Sequence, residues 1–163
     1  MKMSNEEFLK FLNEHGGAVP LEEAFKEYPP EEEWHKGKIE NVLKEEYEGY
    51  NTYSVGDIVF VKEYHYINGN KGKDHLFVII SQNNLAVPIE NFGMLISSNL
   101  EKLKYDANVL LEKDKQNGLN KDSIVKTDVI YKIDEDSILF KIGSVDKDKV
   151  DEYIKCYIKM KSE

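Results

Sequence analysis

Residues 53–61 read Tyr-Ser-Val-Gly-Asp-Ile-Val-Phe-Val, and they mark the point where the hydrophobic pattern of the chain changes. Before them, apolar residues recur at the helical spacing of three and four positions. After them, short runs rich in β-branched residues alternate with turn residues. The stretch therefore predicts the first strand of a mainly β domain that begins near Tyr53.

Seven short runs are predicted to form the strands of this domain. They are residues 57–61, 75–81, 94–97, 107–111, 123–125, 129–131 and 138–142. Asn68-Gly69-Asn70 and Asn117-Gly118 are strong turn signals between them. Many short strands at even spacing favour a small, strongly bent barrel. Apolar residues at helical spacing after Asp146 predict a C-terminal helix that closes it.

The segment 1–52 is predicted to be acidic and helical. Ser4 and Glu7 have the spacing of a capping box, Pro20 fits the first position of a second helix, and residues 31–47 fit a third. Residues 1–50 hold 13 glutamates and 6 lysines, which is −7 of the net charge of −9. The segment is predicted to be a helical cap on the main domain, residues 53–163. A docking arm and an internal inhibitor are the alternatives.

The basic residues are unusual, because all 22 of them are lysines. An arginine guanidinium holds two phosphate oxygens at once, whereas a lysine ammonium is a hydrated point charge on a flexible stem. No arginine can therefore hold a phosphate group in this protein. The acidic net charge also disfavours strong binding to nucleic acids, although the nearly neutral second half leaves room for local binding.

Other compositional features indicate the compartment. Cys156 is the only cysteine, which excludes an internal disulfide and a thiolate metal cluster. The apolar runs are too short to span a bilayer, and the first residues have no stretch of signal-peptide type. We therefore expect a cytoplasmic protein without a membrane segment.

Five motifs follow one another between Tyr53 and Met160. They are the Gly56-Asp57 strand, Ile79-Ile80-Ser81, Leu95-Ile96-Ser97-Ser98, Gly118-Leu119 followed by Asp122-Ser123-Ile124, and Val129-Ile130-Tyr131-Lys132-Ile133. Their order resembles the MazF/PemK toxins, the ribonuclease half of many toxin–antitoxin pairs. The resemblance implies an SH3-like barrel with a C-terminal helix, and a homodimer. It also implies RNA or DNA as ligand, an antitoxin-like protein partner, and RNA cleavage that needs neither metal nor cofactor.

This chain departs from the family pattern where the chemistry would occur. The family's "RP" arginine falls on His75, and its glutamate falls on Asn70. The threonine of its "IT" strand falls on Ser97, which keeps the hydroxyl group. An RNA-contacting arginine falls on Tyr131. Of the arginine, glutamate and threonine, only the hydroxyl is therefore retained.

Cleavage by the RNA 2′-hydroxyl needs a base, an acid and positive charge near the phosphate. Histidine is a competent acid or base near neutral pH, so His75 is a candidate catalytic residue. Ser97, which keeps the hydroxyl group of the family's threonine, is the other. The candidate nucleic-acid-binding residues are Asn70, Lys71, Lys73, Ser98, Tyr131 and Lys141. No metal site is expected. The alternative is a catalytically degenerate relative that binds nucleic acid or protein, in which His75 only lines the surface and the acidic segment shields the groove.

Other residues are weaker candidates. His65 lies between two tyrosines that would either stack on bases or pack in a sheet. His15 and His35 are expected to be solvated. Residues 31–33 are three glutamates that would either imitate phosphates or form a solvated helix start.

Overall fold

The computed structural model describes residues 4–21, 23, 53–62, 74–82, 90–134 and 137–162. The predictions for residues 31–47, for the turn at 68–70 and for His35 and His65 lie outside these residues. The elements are α1 (Asn5–Glu14), β1 (Val19–Pro20), β2 (Asp57–Lys62), β3 (Asp74–Gln82), β4 (Glu90–Ser97), a 3-10 helix (Leu100–Lys104), β5 (Asn108–Leu111), β6 (Ser123–Lys126), β7 (Tyr131–Asp134), β8 (Ile138–Ser144) and α2 (Lys147–Ser162).

The strands form one mixed sheet in the order β1-β7-β4-β3-β2-β8, and β6 joins β4 to β5. Strand β4 holds the sheet together because its first half pairs with β7 and its last two residues pair with β6. Register shifts between β3 and β4, and between β2 and β8, bend the sheet. The predicted mainly β barrel with a C-terminal helix is confirmed.

The predicted strands are confirmed with small shifts at their ends. The largest shift concerns β4, which begins at Glu90 rather than at Met94. Strand β7 begins at Tyr131 rather than at Val129. Residues 127–128 form a turn directly after β6, and the chain reaches the sheet again only at Tyr131. The C-terminal helix begins at Lys147, directly after the predicted cap Asp146.

The sheet is buried on both faces. The first core lies between the sheet and both helices, and it includes Phe60, Val78, Met94 and Val125. The second core occupies the opposite face, and its buried members are Tyr53, Val59, Val61, Phe77, Ile79, Leu95, Tyr131, Ile133 and Ile138. Alternation along the strands produces this division, since successive side chains of a strand point to opposite faces.

Helix α1 is part of the first core. Ser4 accepts a hydrogen bond from the Glu7 amide at 3.2 Å, and the Ser4 amide donates to the Glu7 carboxylate at 3.3 Å, so the capping box is confirmed. Phe8 and Leu12 are almost fully buried, and the Phe8 ring meets Tyr157 of α2 edge-on. The start of the chain therefore packs against its end.

The prediction for Pro20 is wrong. Val19 and Pro20 form a short strand that pairs in parallel with β7, opposite Tyr131 and Lys132. The Val19 amide donates to the Ile130 carbonyl at 2.7 Å. Proline is tolerated there because β1 is an edge strand. Helical conformation begins only at Leu21.

Helix α2 closes the barrel with an apolar face. Val150, Tyr153 and Tyr157 are buried against the first core. Burial, and then the charge of Glu152, hold the pKa of Tyr153 well above its ordinary value, and burial also raises the pKa of Tyr157. Both phenols therefore stay neutral at physiological pH. Within the described residues, no helix has the length and apolarity to cross a membrane.

Candidate functional site

The two predicted catalytic residues lie on neighbouring strands at one end of the sheet. Leu76 of β3 pairs with Ile96 of β4, so continuing the register by one residue sets His75 opposite Ser97. Side chains at directly opposed positions point to the same face, with Cβ atoms about 5 Å apart. The register therefore places a histidine beside a hydroxyl group, on the face that carries the second core.

His75 is deeply placed, with 3% of its surface exposed. It pairs with Val61 of β2, and its ring meets the Phe77 ring edge-on at 6.4 Å. Phe77 in turn meets Tyr131 at 5.7 Å. The imidazole therefore lies at the margin of the second core and not on open surface.

Ser97 ends β4 and pairs with Ile124 of β6. Its hydroxyl oxygen accepts a hydrogen bond from the Asn99 amide at 3.2 Å. Ser97 has 7% of its surface exposed, and the next residue, Ser98, is half-buried. The hydroxyl is thus held at the point where the chain leaves the sheet.

A cleft of about 530 Å³ opens beside Ser97. Its buried floor consists of Leu95, Ser97, Ala107 and Ile124. Its walls and rim are mostly polar, and they are formed by Lys102, Tyr105, Asp106, Asn108, Lys126, Asp128 and Met160. An apolar floor under a polar rim suits a flat molecule with a polar edge, such as a nucleobase.

The cleft contains an ion pair between Lys126 and Asp128. The Lys126 ammonium lies 3.1 Å from the Asp128 carboxylate, and the two side chains are 20% and 35% exposed. Thr127 between them is fully buried, and both its amide and its hydroxyl donate to the Ala107 carbonyl. This anchor fixes the turn that carries the two charges.

Lys126 is also close to Ser97. Ser97 pairs with Ile124, and Lys126 follows two residues later on the same face of β6. The backbones of diagonal neighbours on paired strands are about 7 to 8 Å apart. A lysine side chain can span this distance. Across the sheet, His75, Ser97 and Lys126 therefore form a bent row of imidazole, hydroxyl and ammonium, in which Lys126 lies diagonally from Ser97 and opposite Leu95.

Two of the other predicted binding residues, Lys141 and Tyr131, do not join this row. Lys141 forms an ion pair at 3.2 Å with Asp57, which also accepts the Ser54 amide at 2.8 Å. Lys141 pairs with Val59, two strands away from His75 and displaced along the sheet. Tyr131 is 1% exposed in the second core. Asn70, Lys71 and Lys73 lie outside the described residues.

Sequence reasoning missed Lys126 and Asp128. Neither belongs to a quoted motif, and Lys126 ends a strand whose other residues are buried. The available signal was the alternation of Ile124 and Lys126, which places a charge on the same face as a core residue. This alternation brings Lys126 near Ser97 only because β6 pairs with β4.

The side chains of the site have groups that can take part in acid–base chemistry. In the described part of the chain, no group of three or more histidine, cysteine, aspartate or glutamate side chains is arranged to hold a metal ion. An imidazole beside a hydroxyl and an ammonium can instead move protons and hold an anion.

The fold and the row of polar residues define a small, mainly β barrel whose candidate site lies at the end of its central strand. The chain belongs to the PemK-like, MazF-like toxins of type II toxin–antitoxin systems, because the model of this family matches residues 54–158. The match begins one residue after Tyr53, so α1 and β1 lie outside it. A search of curated protein sequences found none that matches the chain.

Proposed function

We propose that this toxin binds RNA in the cleft beside Ser97 and cleaves it without a metal ion. The observation that carries the proposal is the row of His75, Ser97 and Lys126, which the strand register creates inside the family-matched segment. RNA is the ligand because its 2′-hydroxyl supplies the nucleophile that such a site lacks.

In the proposed reaction the 2′-oxygen attacks the adjacent phosphorus and the bond to the 5′-oxygen breaks. His75 takes the 2′-proton or gives a proton to the 5′-oxygen, and the Ser97 hydroxyl donates to a phosphate oxygen. Lys126 supplies the positive charge that the family's arginine, which falls on His75, would otherwise provide. Losing one oriented donor raises such a barrier by about 3 to 4 kcal/mol, so we expect slow turnover.

Four of the other predicted contacts are part of this proposal. Asn70, Lys71 and Lys73 precede β3 directly in sequence, and we propose that they contact the RNA backbone near His75. Ser98, half-buried beside Ser97, is a further phosphate contact. Lys141 and Tyr131 are left out, because one is paired with Asp57 and the other lies in the second core.

The second candidate function is a binding module without cleavage. The burial of His75 favours it, because a catalytic imidazole must reach the substrate. The absence of arginine favours it as well. In this case the cleft binds RNA or an antitoxin-like peptide, and His75 only packs against Phe77.

Cleavage of a long RNA in EDTA tests the proposal. The wild-type protein is expected to yield discrete fragments with 2′,3′-cyclic phosphate ends. Ser97→Ala is expected to slow the reaction by about 10- to 100-fold, because a hydrogen bond to a charged phosphate is lost. Ser162→Ala, on the exposed last turn of α2, is the matched control. Intact RNA after incubation with wild-type protein would refute cleavage and leave the binding module.

We also propose that the acidic N-terminal segment weakens RNA binding. Residues 1–50 carry −7, and their described part is fixed to the domain through α1, β1 and Leu21, which packs on the second core. A negative charge held beside a phosphate-binding site repels RNA, and salt screens this effect.

Replacing residues 31–33 by three glutamines is expected to raise RNA affinity roughly three- to tenfold at low salt, because phosphate repulsion falls. The control replaces Asp148, Asp151 and Glu152 of α2 by their amides, which changes the net charge equally at another place. Fluorescence anisotropy against salt concentration measures both. An equal gain in the two variants would show that only net charge matters and that no shielding exists.

A further inference from the structure

We propose that Tyr131 is a positioning residue, which holds the imidazole of His75 in its reactive orientation through the ring of Phe77. The inference rests on the proposed function, because it takes His75 as the residue that transfers the protons. It adds a role for the second core in the reaction. It also brings β1, which lies outside the family-matched segment, into the support of the site.

Three rings form a continuous series on one face of the sheet. His75 and Phe77 are two residues apart on β3, so their side chains point to the same face. The two rings meet edge-on, with centroids 6.4 Å apart and an angle of 70° between their planes. The Phe77 ring meets the Tyr131 ring in the same way, at 5.7 Å and 71°. The series therefore connects β7 to the candidate catalytic residue on β3.

The series is buried along its whole length. His75, Phe77 and Tyr131 expose 3%, 0% and 1% of their surfaces. Side chains in a close-packed interior occupy defined rotamers, and edge-on aromatic contacts add a preferred geometry to this packing. A ring in the series can therefore turn only if its neighbour moves. Tyr131 thus restricts the orientation of an imidazole from which it is separated by strand β4.

Strand β1 supports the end of the series that lies on β7. Val19 pairs in parallel with Tyr131, and the Val19 amide donates to the Ile130 carbonyl at 2.7 Å. The side chains of Val19 and Leu21 are half-buried against the second core, to which Phe77 and Tyr131 belong. The start of the chain therefore contributes to the packing that holds the rings.

The orientation of His75 matters because proton transfer requires hydrogen-bond distance between the imidazole and the reacting oxygen. A misplacement of about 1 Å can lower a reaction rate about 100-fold. A ring that turns more freely spends less time in the reactive orientation, while the contacts that bind RNA stay the same. Loss of positioning is therefore expected to lower the rate of cleavage and to leave RNA affinity unchanged.

Single-turnover cleavage and RNA binding by full-length variants test the inference. Tyr131→Leu is expected to slow cleavage by about three- to tenfold, the effect of one lost aromatic contact, with RNA affinity unchanged within about twofold. Tyr131→Phe keeps the ring and should cleave at the wild-type rate. Val78→Ala is the matched control, because Val78 follows Phe77 on β3 but is buried in the first core. It should lower stability without slowing cleavage.

A double variant tests whether Tyr131 acts through Phe77. Phe77→Leu is expected to slow cleavage at least as much as Tyr131→Leu. Adding Tyr131→Leu to Phe77→Leu should slow it no further, because the connection is already broken. Multiplication of the two effects would overturn the proposal. If Tyr131→Leu fails to fold, Tyr131→Met removes the ring with a more adaptable side chain and is measured in its place.

Nuclear magnetic resonance measures the orientation of the imidazole without any cleavage. The order parameter of the His75 Cδ2–H bond reports how freely the ring moves on the picosecond to nanosecond timescale, and the spectrum of His75→Ala identifies its signal. The order parameter is expected to fall in Tyr131→Leu and to stay at the wild-type value in Tyr131→Phe and Val78→Ala.

The two measurements separate this inference from the proposed function. An unchanged order parameter in Tyr131→Leu, or a lower one with a wild-type rate of cleavage, would overturn the positioning role. If the wild-type protein cleaves RNA and either of these results is found, the positioning role alone is rejected. If the wild-type protein leaves RNA intact and the order parameter falls in Tyr131→Leu, the enzymatic proposal is rejected and the restraint of His75 by Tyr131 is upheld.

Discussion

Replacement of His75 by alanine is expected to slow metal-free RNA cleavage by roughly two to four orders of magnitude, which is the usual contribution of a general acid or base. The register sets His75 opposite Ser97, and no other histidine is placed on the described part of the sheet. The measurement is the single-turnover rate on a short RNA in EDTA. Circular dichroism and urea midpoints monitor folding, since removing a buried side chain also destabilises the protein.

Imidazole added to the His75→Ala variant separates catalysis from packing. If His75 transfers protons, free imidazole should restore part of the rate in the variant and leave the wild type unchanged. A structural role would give no such rescue. A folded His75→Ala variant that cleaves at the wild-type rate would remove His75 from the mechanism.

His75 also shows what the sequence could predict about the site. The resemblance to the family indicated His75 and Ser97, and strand pairing places them on one face. The resemblance did not indicate that the imidazole of His75 is almost fully buried at the margin of the second core. Burial depends on residues far apart in the sequence, and no local pattern around residue 75 reports it.

The strands were predictable because their alternation and turns are local. Pro20 was not, because its conformation depends on the edge of β7, more than one hundred residues further along the chain. The Lys126–Asp128 pair was equally hidden, since it becomes part of a cleft only through β4 and β5. Features that depend on strand pairing between distant residues therefore could not be predicted from the sequence.

The quoted motif at Gly118 illustrates a different case, in which the motif is structural. Gly118 has a positive φ of 69°, and a Cβ atom there would lie 2.1 Å from the Ile142 carbonyl oxygen. The neighbouring Asn117 is buried, and it fixes the turn by donating to the Glu112 carbonyl at 2.8 Å and accepting the Leu119 amide at 3.0 Å. The turn is thus pressed against the backbone of β8.

Gly118→Ala is therefore expected to lower the free energy of unfolding by about 3 kcal/mol or more. About 1 to 2 kcal/mol comes from the left-handed backbone conformation, and the rest from moving β8 away from the new methyl group. Gly16→Ala is the matched control, because Gly16 also has a positive φ, 100°, but nothing lies within 4 Å of the added carbon. Urea unfolding of both variants separates the two contributions. Equal losses of stability would mean that β8 yields to the methyl group without cost, and that backbone conformation alone requires glycine at residue 118.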